Sequence, residues 1–428
     1  MTLTLLPTPQ AVSMTQTVGE NARPLNPLPI AIMLAGVGFI ILVTEILPAG
    51  LLPQISLGLG VSPSLAGQGI VTFAIGCIVA AIPLTRAAAS WDRRSLLLGV
   101  LVISAVSNLG TALAPDIVTH LITRFAAGLA AGGMWAMFPG YVRGFTPPER
   151  LGSTLSVAFL GVTLAFALGV PMGTLLGETV GWRLVFVIIT ALTVMMGIIA
   201  LFLAPRVPGV ARGTDARIPV EQTLGAAVRT PAVQLVLLAV VLIVVGQSLG
   251  YTYLAPILEF GGVALSTGLV FGLFGIASVL GTIGSGRFAD RHLTGTLVSA
   301  LSAGAVGLAG IGLSAWPGLL AEPVGSALLT ISVMLWGYSF GGYSMLFQVV
   351  VAHAGGAAAD AAQSVMVTVW NISIALGGFV GGVLLAGIGP LFLLPIAAIL
   401  MAVSLPPVLR VLAGIRAKAP HSTASSAV

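Results

Sequence analysis

The chain has 428 residues, 57% of them apolar, and only 29 charged side chains, 17 Lys and Arg plus 12 Asp and Glu, for a net charge of +5. A soluble domain carries charge at about 25% of its positions, and 7% cannot keep the surface of a chain this size hydrated. The composition excludes a soluble fold, and roughly 244 apolar residues, at about 20 per crossing, suffice for about twelve membrane-spanning helices. The long unbroken runs of Gly, Ala, Leu and Val also exclude a transmembrane β-barrel, whose strands alternate apolar and polar positions.

In chain order, residues 1–27 are polar and lack the basic, apolar and small-residue pattern of a secretory leader, so they are expected to form a cytoplasmic tail. Six apolar runs follow, at 28–53, 65–85, 95–114, 117–141, 151–177 and 183–204. Residues 205–230 hold Pro205, Pro208, Pro219, Arg206, Arg212, Arg217 and Arg229, and are expected to be a cytoplasmic linker. Six more runs lie at 231–258, 265–287, 294–314, 325–351, 361–387 and 390–412, before a tail at 413–428. The expected domains are therefore an N-terminal six-helix bundle, 28–204, and a C-terminal one, 231–412. Thr146-Pro147-Pro148-Glu149 reads as a capping box ahead of the fifth span, with Thr230-Pro231 and Asp360 to Gln363 doing the same for the seventh and eleventh.

The basic residues set the expected orientation. Fifteen of them, from Arg23 to Lys418, fall in loops on one side, Arg183 falls on the other, and Arg124 lies inside a span. Cytoplasmic loops carry the excess of Lys and Arg, so both termini and the linker are expected in the cytoplasm, with the protein in the inner membrane. The halves echo each other: Leu168, Gly169, Gly173, Leu176 and Gly181 recur 208 positions later as Leu376, Gly377, Gly381, Leu384 and Gly389. Either an internal repeat or two independent small-residue packing faces accounts for this.

A charge inside the bilayer costs about 2.5–3.5 kcal/mol and generally marks an ion or substrate path. Two occur here, Glu45 in the first span and Arg124 in the fourth. Glu45 lies about 6 Å and Arg124 about 7 Å to the outer side of their helix midpoints, at about 1.5 Å per residue, so the two can meet. A carboxylate there suits proton coupling, with the arginine acting on its proton affinity; a static buried ion pair is the alternative. His120, one turn before Arg124, reads as an interfacial histidine near the outer surface, and Asp116, Glu178, Glu259 and Glu322 as solvated or capping groups at outer span ends. Pro48, Pro53, Pro171 and Pro256 interrupt helix hydrogen bonding, as hinges or as fixed kinks. Gln247, Tyr251, Tyr253, Trp336, Tyr338, Tyr343, Gln348, Trp370 and Asn371 can line a pocket for an organic molecule, although Tyr and Trp also anchor spans at the interface.

The four histidines are far apart, no CxxC or HExxH spacing occurs, and there is no phosphate-binding loop. No metal, cofactor or nucleic acid is expected, nor is an enzyme. Cys77, alone, permits no internal disulfide. The expected partners are a small-molecule substrate, protons and the lipid bilayer, and the protein is expected to be monomeric.

These residues resemble a known family over about 28–412. Thr44-Glu45 through Gly50-Leu51-Leu52-Pro53, Arg124 with Gly128, Leu168-Gly169-Val170-Pro171-Met172-Gly173 followed by Gly181-Trp182-Arg183, and Tyr251-Thr252-Tyr253-Leu254 with Pro256 are similar to motifs of the major facilitator superfamily. The similarity is to its drug:proton antiporter branch with twelve spans, the arabinose-efflux and chloramphenicol-resistance permeases. The loop after the second span keeps a basic pair, Arg93 and Arg94, but has Thr85, Ala89 and Ser90 where the superfamily has glycine, aspartate and arginine; the second-half copy keeps Gly286, Asp290 and Arg291. The resemblance implies an all-α membrane protein of two six-helix pseudo-repeats. It further implies export of a small organic compound, drug-like molecule or sugar by proton antiport, in which Glu45 exchanges protons, Arg124 tunes it, and Gly169, Pro171, Gly173, Arg93, Arg94, Asp290 and Arg291 form gating motifs. An uptake or facilitated permease is the alternative.

Overall fold

A computed structural model describes residues 26–87, 91–147, 150–208 and 224–418. Among the described residues there are twelve spans: α1 (Pro27–Gly50), α2 (Pro63–Ala80), α3 (Arg93–Leu113), α4 (Ile117–Phe145), α5 (Ser153–Val180), α6 (Trp182–Leu203), α7 (Pro231–Phe260), α8 (Thr267–Phe288), α9 (His292–Ser314), α10 (Val324–Gly355), α11 (Ala361–Ile388) and α12 (Pro390–Gly414). With no water in hydrocarbon to take up backbone polar groups, each crossing must satisfy its own, and the helix does so. Because the number of spans is even, the chain enters α1 and leaves α12 on one face, here termed the terminal face; the opposite one is the far face.

Helix starts are set by polar caps. Asn26 accepts from the Leu28 N–H at 3.1 Å ahead of Pro27, Asp92 from Ser95 at 3.1 Å, Asp116 from Thr119 at 2.8 Å, and Ser266 from Leu269 at 3.3 Å. The three boxes expected from sequence are not these. Thr146 ends α4, its hydroxyl has no partner among the described residues, and the next helix starts after Arg150; Pro148 and Glu149 lie outside the described residues. Thr230 does precede Pro231, but its hydroxyl donates backwards to Ala226 O at 3.0 Å. The helix of α11 begins behind Ala358, so Asp360 sits within its first turn.

Each half repeats the same packing. On α4, Gly128 and Gly132 lie directly against the Phe73 and Cys77 carbonyls of α2, where any Cβ would collide with backbone. On α10, Gly337 and Gly341 meet the Phe274 and Ser278 carbonyls of α8 in the same way. Gly169 and Gly173 of α5 accommodate Val43 and Leu47 of α1, while Gly377 and Gly381 of α11 accommodate Ser248 and Tyr253 of α7. The turns that follow are also matched: Gly181 has φ 84° and Gly389 φ 86°, backbone that a side chain disfavours. The glycine echo is thus a structural repeat, with the same partner helix in each half.

The halves meet on the far side. Ser64 of α2 donates to Gly382 O of α11 at 2.7 Å, and a Cβ on Gly378 would lie 2.9 Å from Val71. Across the molecule, Gly268, Gly272 and Gly275 of α8 pack on Leu175, Pro171 and Phe166 of α5. At that seam Ala165–Gly169 forms a π-helical turn immediately before Pro171. The proline supplies no N–H and its ring crowds the preceding turn, so a wider turn accommodates it.

Candidate functional site

Between the halves lies a cavity of about 190 Å³. Leu42, Glu45, Ile46 and Ala49 face it from α1, and Val244, Gln247, Ser248, Tyr251 and Thr252 from α7. Both sets recur every three or four residues and so mark one face of each helix. Ile70 of α2, Phe166 of α5, Phe340 of α10, and Trp370 and Ile374 of α11 complete the wall. It is mostly apolar, with Glu45 its single ionisable carboxylate.

Arg124 stands behind that acid. It is fully buried, its guanidinium carbon lies 4.6 Å from the centre of the Phe73 ring, and Nη2 donates a long hydrogen bond, 3.4 Å, to the backbone carbonyl of Glu45. It therefore reaches the main chain of Glu45 rather than its carboxylate, and the two do not form the static ion pair considered above. Trp135, also on α4, lies beside the Glu45 carboxyl group. Nε and Nη1 of Arg124 have no hydrogen-bond partner among the described residues.

His120, one turn from the start of α4, is enclosed by protein rather than open to water. It is 1% exposed, neither ring nitrogen has a partner among the described residues, and its ring meets Trp182 edge-on with centroids 6.1 Å apart. Gly69 of α2 leaves room for it, since a Cβ there would be 2.8 Å from Nε2. Asp116, by contrast, is exposed as expected, and the N–H groups of Thr119 and Val118 hold its carboxyl below the usual carboxylate range.

Of the nine residues expected to line a substrate site, the cavity holds three, Gln247, Tyr251 and Trp370. Trp336 is one layer behind, fully buried, with its indole N–H donating to Gln247 Oε1 at 2.6 Å. The other five are elsewhere: Tyr343 is fully buried beside Phe347, and the backbone carbonyl of Gln348 accepts from Gln363 Nε2 at 2.8 Å. Tyr253 points to the far-side seam, where its hydroxyl donates to Gly378 O at 2.8 Å; Tyr338 packs beside Gly284 of α8; Asn371 donates to Val367 O of its own helix at 3.0 Å. Residues two apart on a helix are about 200° apart around it, so Tyr251 and Tyr253, or Trp336 and Tyr338, cannot share a face. Phe166 and Phe340 escaped the sequence reading because an aromatic within an apolar run offers no contrast.

The expected gating residues divide similarly. Gly169, Pro171 and Gly173 sit where α5 meets α1 and α8. The Arg93 backbone N–H donates to Val207 O at 2.9 Å, just past the end of α6, and the side chain of Arg94 donates through Nη2 to Leu201 O within its own half. The side chains of Asp290 and Arg291 lie outside the described residues.

The family model for the Major Facilitator Superfamily matches residues 34–378. The chain belongs to the major facilitator superfamily. Among similar superfamily proteins, the inner membrane transport protein YdhP of Escherichia coli strain K12 is 32% identical over 383 residues, covering 88% of this chain and 93% of its own. A chloramphenicol resistance protein of Streptomyces lividans is 33% identical over 362 residues, 82% of this chain and 88% of its own. The crystal structure of the nucleoside transporter NupG, in a point-mutant form, superposes with a TM-score of 0.73 at 14% identity, over 91% of this chain and 99% of that one, which shows a shared fold. This chain is accordingly a multi-pass membrane transporter of the superfamily, with relatives of the efflux type.

Proposed function

We propose that this transporter exports a small organic compound from the cytoplasm in exchange for protons, by alternating access of the cavity to the two faces. One observation carries the reading: Glu45 opens onto the cavity between the halves while a buried Arg124 stands directly behind it. Such a carboxyl can hold a proton in one state and release it in the other, and the fixed charge of Arg124 bears on how tightly. The α2–α11 and α5–α8 seams bring the halves together on the far side, and parting them would expose the cavity there. A relative named for chloramphenicol resistance supports the outward direction, since a carrier protects a cell by lowering the internal concentration of the drug.

In this reading residues 28–204 and 231–412 are the two moving bodies, the linker and both termini are cytoplasmic, and the relative named an inner membrane protein supports that membrane as the location. Glu45 and Arg124 couple protons, and Gly169, Pro171 and Gly173 shape the seam that opens. The protein works as a monomer.

The test is transport in vesicles reconstituted with the purified protein. An imposed pH gradient is expected to drive substrate movement, and Glu45→Gln is expected to abolish that dependence while leaving passive exchange. Gradient-driven movement persisting unchanged in the variant would rule out the role given to Glu45. A facilitated permease would instead show counterflow indifferent to pH.

A further inference from the structure

The polar groups of the cavity wall are few enough to read individually. Gln247 is 6% exposed and lines the cavity, and its carbonyl Oε1 accepts the Trp336 indole N–H at 2.6 Å. An indole nitrogen only donates. The amide therefore has no choice of orientation: the oxygen must face Trp336, and the Nε2 amino group is turned the other way. That amino group has no partner among the described residues. Trp336 is itself immobilised, fully buried, with its ring 4.7 Å from Phe274 and 6.2 Å from Tyr251. Around Gln247 the wall is aromatic, with Phe166, Tyr251, Phe340 and Trp370 contributed by four helices.

We propose that Gln247 is the specificity-determining residue of the cavity, presenting a fixed N–H donor to an uncharged aromatic compound that carries a hydrogen-bond acceptor, with Trp336 as the residue that positions the amide. This rests on the reading of the cavity as the transport site. A flat ring is held between aromatic side chains by offset or edge contacts, which select for shape but not for the ring's substituents. The donor supplies that selection, because an acceptor taken out of water needs a partner, whereas an isosteric apolar group does not. A site offering a donor beside a carboxylate also disfavours anionic compounds. The cavity, about 190 Å³, is below the range of roughly 300–1,000 Å³ typical of drug-sized ligands, which points to compounds of one or two rings.

The experiment compares a matched pair of probes, acetophenone and α-methylstyrene, which share a shape and differ by a carbonyl against a methylidene group. Binding to the full-length protein in lipid nanodiscs is measured for both by saturation-transfer NMR, corrected for partition into empty nanodiscs. The ratio of the two affinities is expected to fall about 5–10-fold in Gln247→Leu, the loss of one hydrogen bond. Gln247→Met removes the donor at nearly the same side-chain length, so it should lower the ratio as well; it also serves as the second variant should Gln247→Leu fail to fold. Trp336→Phe should retain binding of both probes but lower the ratio by less, since the freed amide can turn its oxygen inward. An unchanged ratio in a folded Gln247→Leu or Gln247→Met protein would overturn the proposal. Binding needs no pH gradient, so loss of gradient-driven transport with an intact probe ratio would count against the antiport reading alone.

Discussion

At the scale of single residues, the scarce polar groups of this membrane interior are held by chemistry specific to each. Arg124 is fully buried with Nε and Nη1 unpartnered among the described residues, so its desolvation is offset only in part, by the Phe73 ring, one long hydrogen bond and the charge of the nearby Glu45. Replacing a poorly satisfied buried charge by an apolar side chain of similar volume is often neutral or stabilising. Arg124→Met is thus expected to leave the melting temperature in detergent unchanged or raised while gradient-driven transport is lost, which separates a functional charge from a structural one. Asp116 is the opposite case. Its folded pKa is lowered by the N–H groups it caps, so its contribution to the start of α4 is present above the ordinary carboxylate value of about 3.9 and is lost as pH falls through the folded value. Thermal unfolding scanned from pH 6 to 3 should therefore show a decline in the acid range that Asp116→Asn, a neutral cap, flattens.

At the scale of helices, glycine decides how closely backbones approach. A Cβ on Gly128 would fall on the Phe73 carbonyl within the N-terminal half, whereas one on Gly275 would fall on the Phe166 carbonyl across the two halves. Gly128→Ala should destabilise the fold by about 1–3 kcal/mol, the range for overpacking, read as reduced thermal stability. Gly275→Val should instead part the far-side seam. The expected readout is faster labelling, from the far face, of a cysteine at Thr252 in a Cys77→Ser background. The helices themselves were legible in sequence, since long apolar runs have few alternatives in lipid, and α2 to α12 lie close to their expected bounds. Their rotation was not. A helix apolar on every side carries no amphipathic stripe to show which face looks inward, so Tyr253, Tyr338 and Asn371 could not be told from Gln247 and Tyr251 by residue type. Caps misled for a related reason: Thr146 fits the capping pattern, yet the preceding helix consumes it.

At the scale of the whole molecule, the basic residues and the repeat govern the arrangement. If the arginine-rich face is cytoplasmic, a cysteine at the exposed Ser153 should react with a membrane-impermeant maleimide only from inside the cell and one at the exposed Ala321 only from outside, with buried Cys77 silent; the reverse pattern would invert the topology. The amino-acid sequence by itself determined the membrane class, the number of spans and the two charges within them, because an apolar solvent penalises polar groups so heavily that composition and hydropathy alone reveal where they are tolerated. It also carried the glycine echo between the halves, though only the shared partner helices and the paired φ values of Gly181 and Gly389 made that echo a repeat. What tertiary structure decided was company: that Glu45 shares a cavity with Gln247 and Tyr251, that Arg124 bonds a carbonyl rather than a carboxylate, and that Trp336 turns an amide. Those facts depend on how each helix is rotated against its neighbours, and that rotation is set by the packing of small residues distant in sequence.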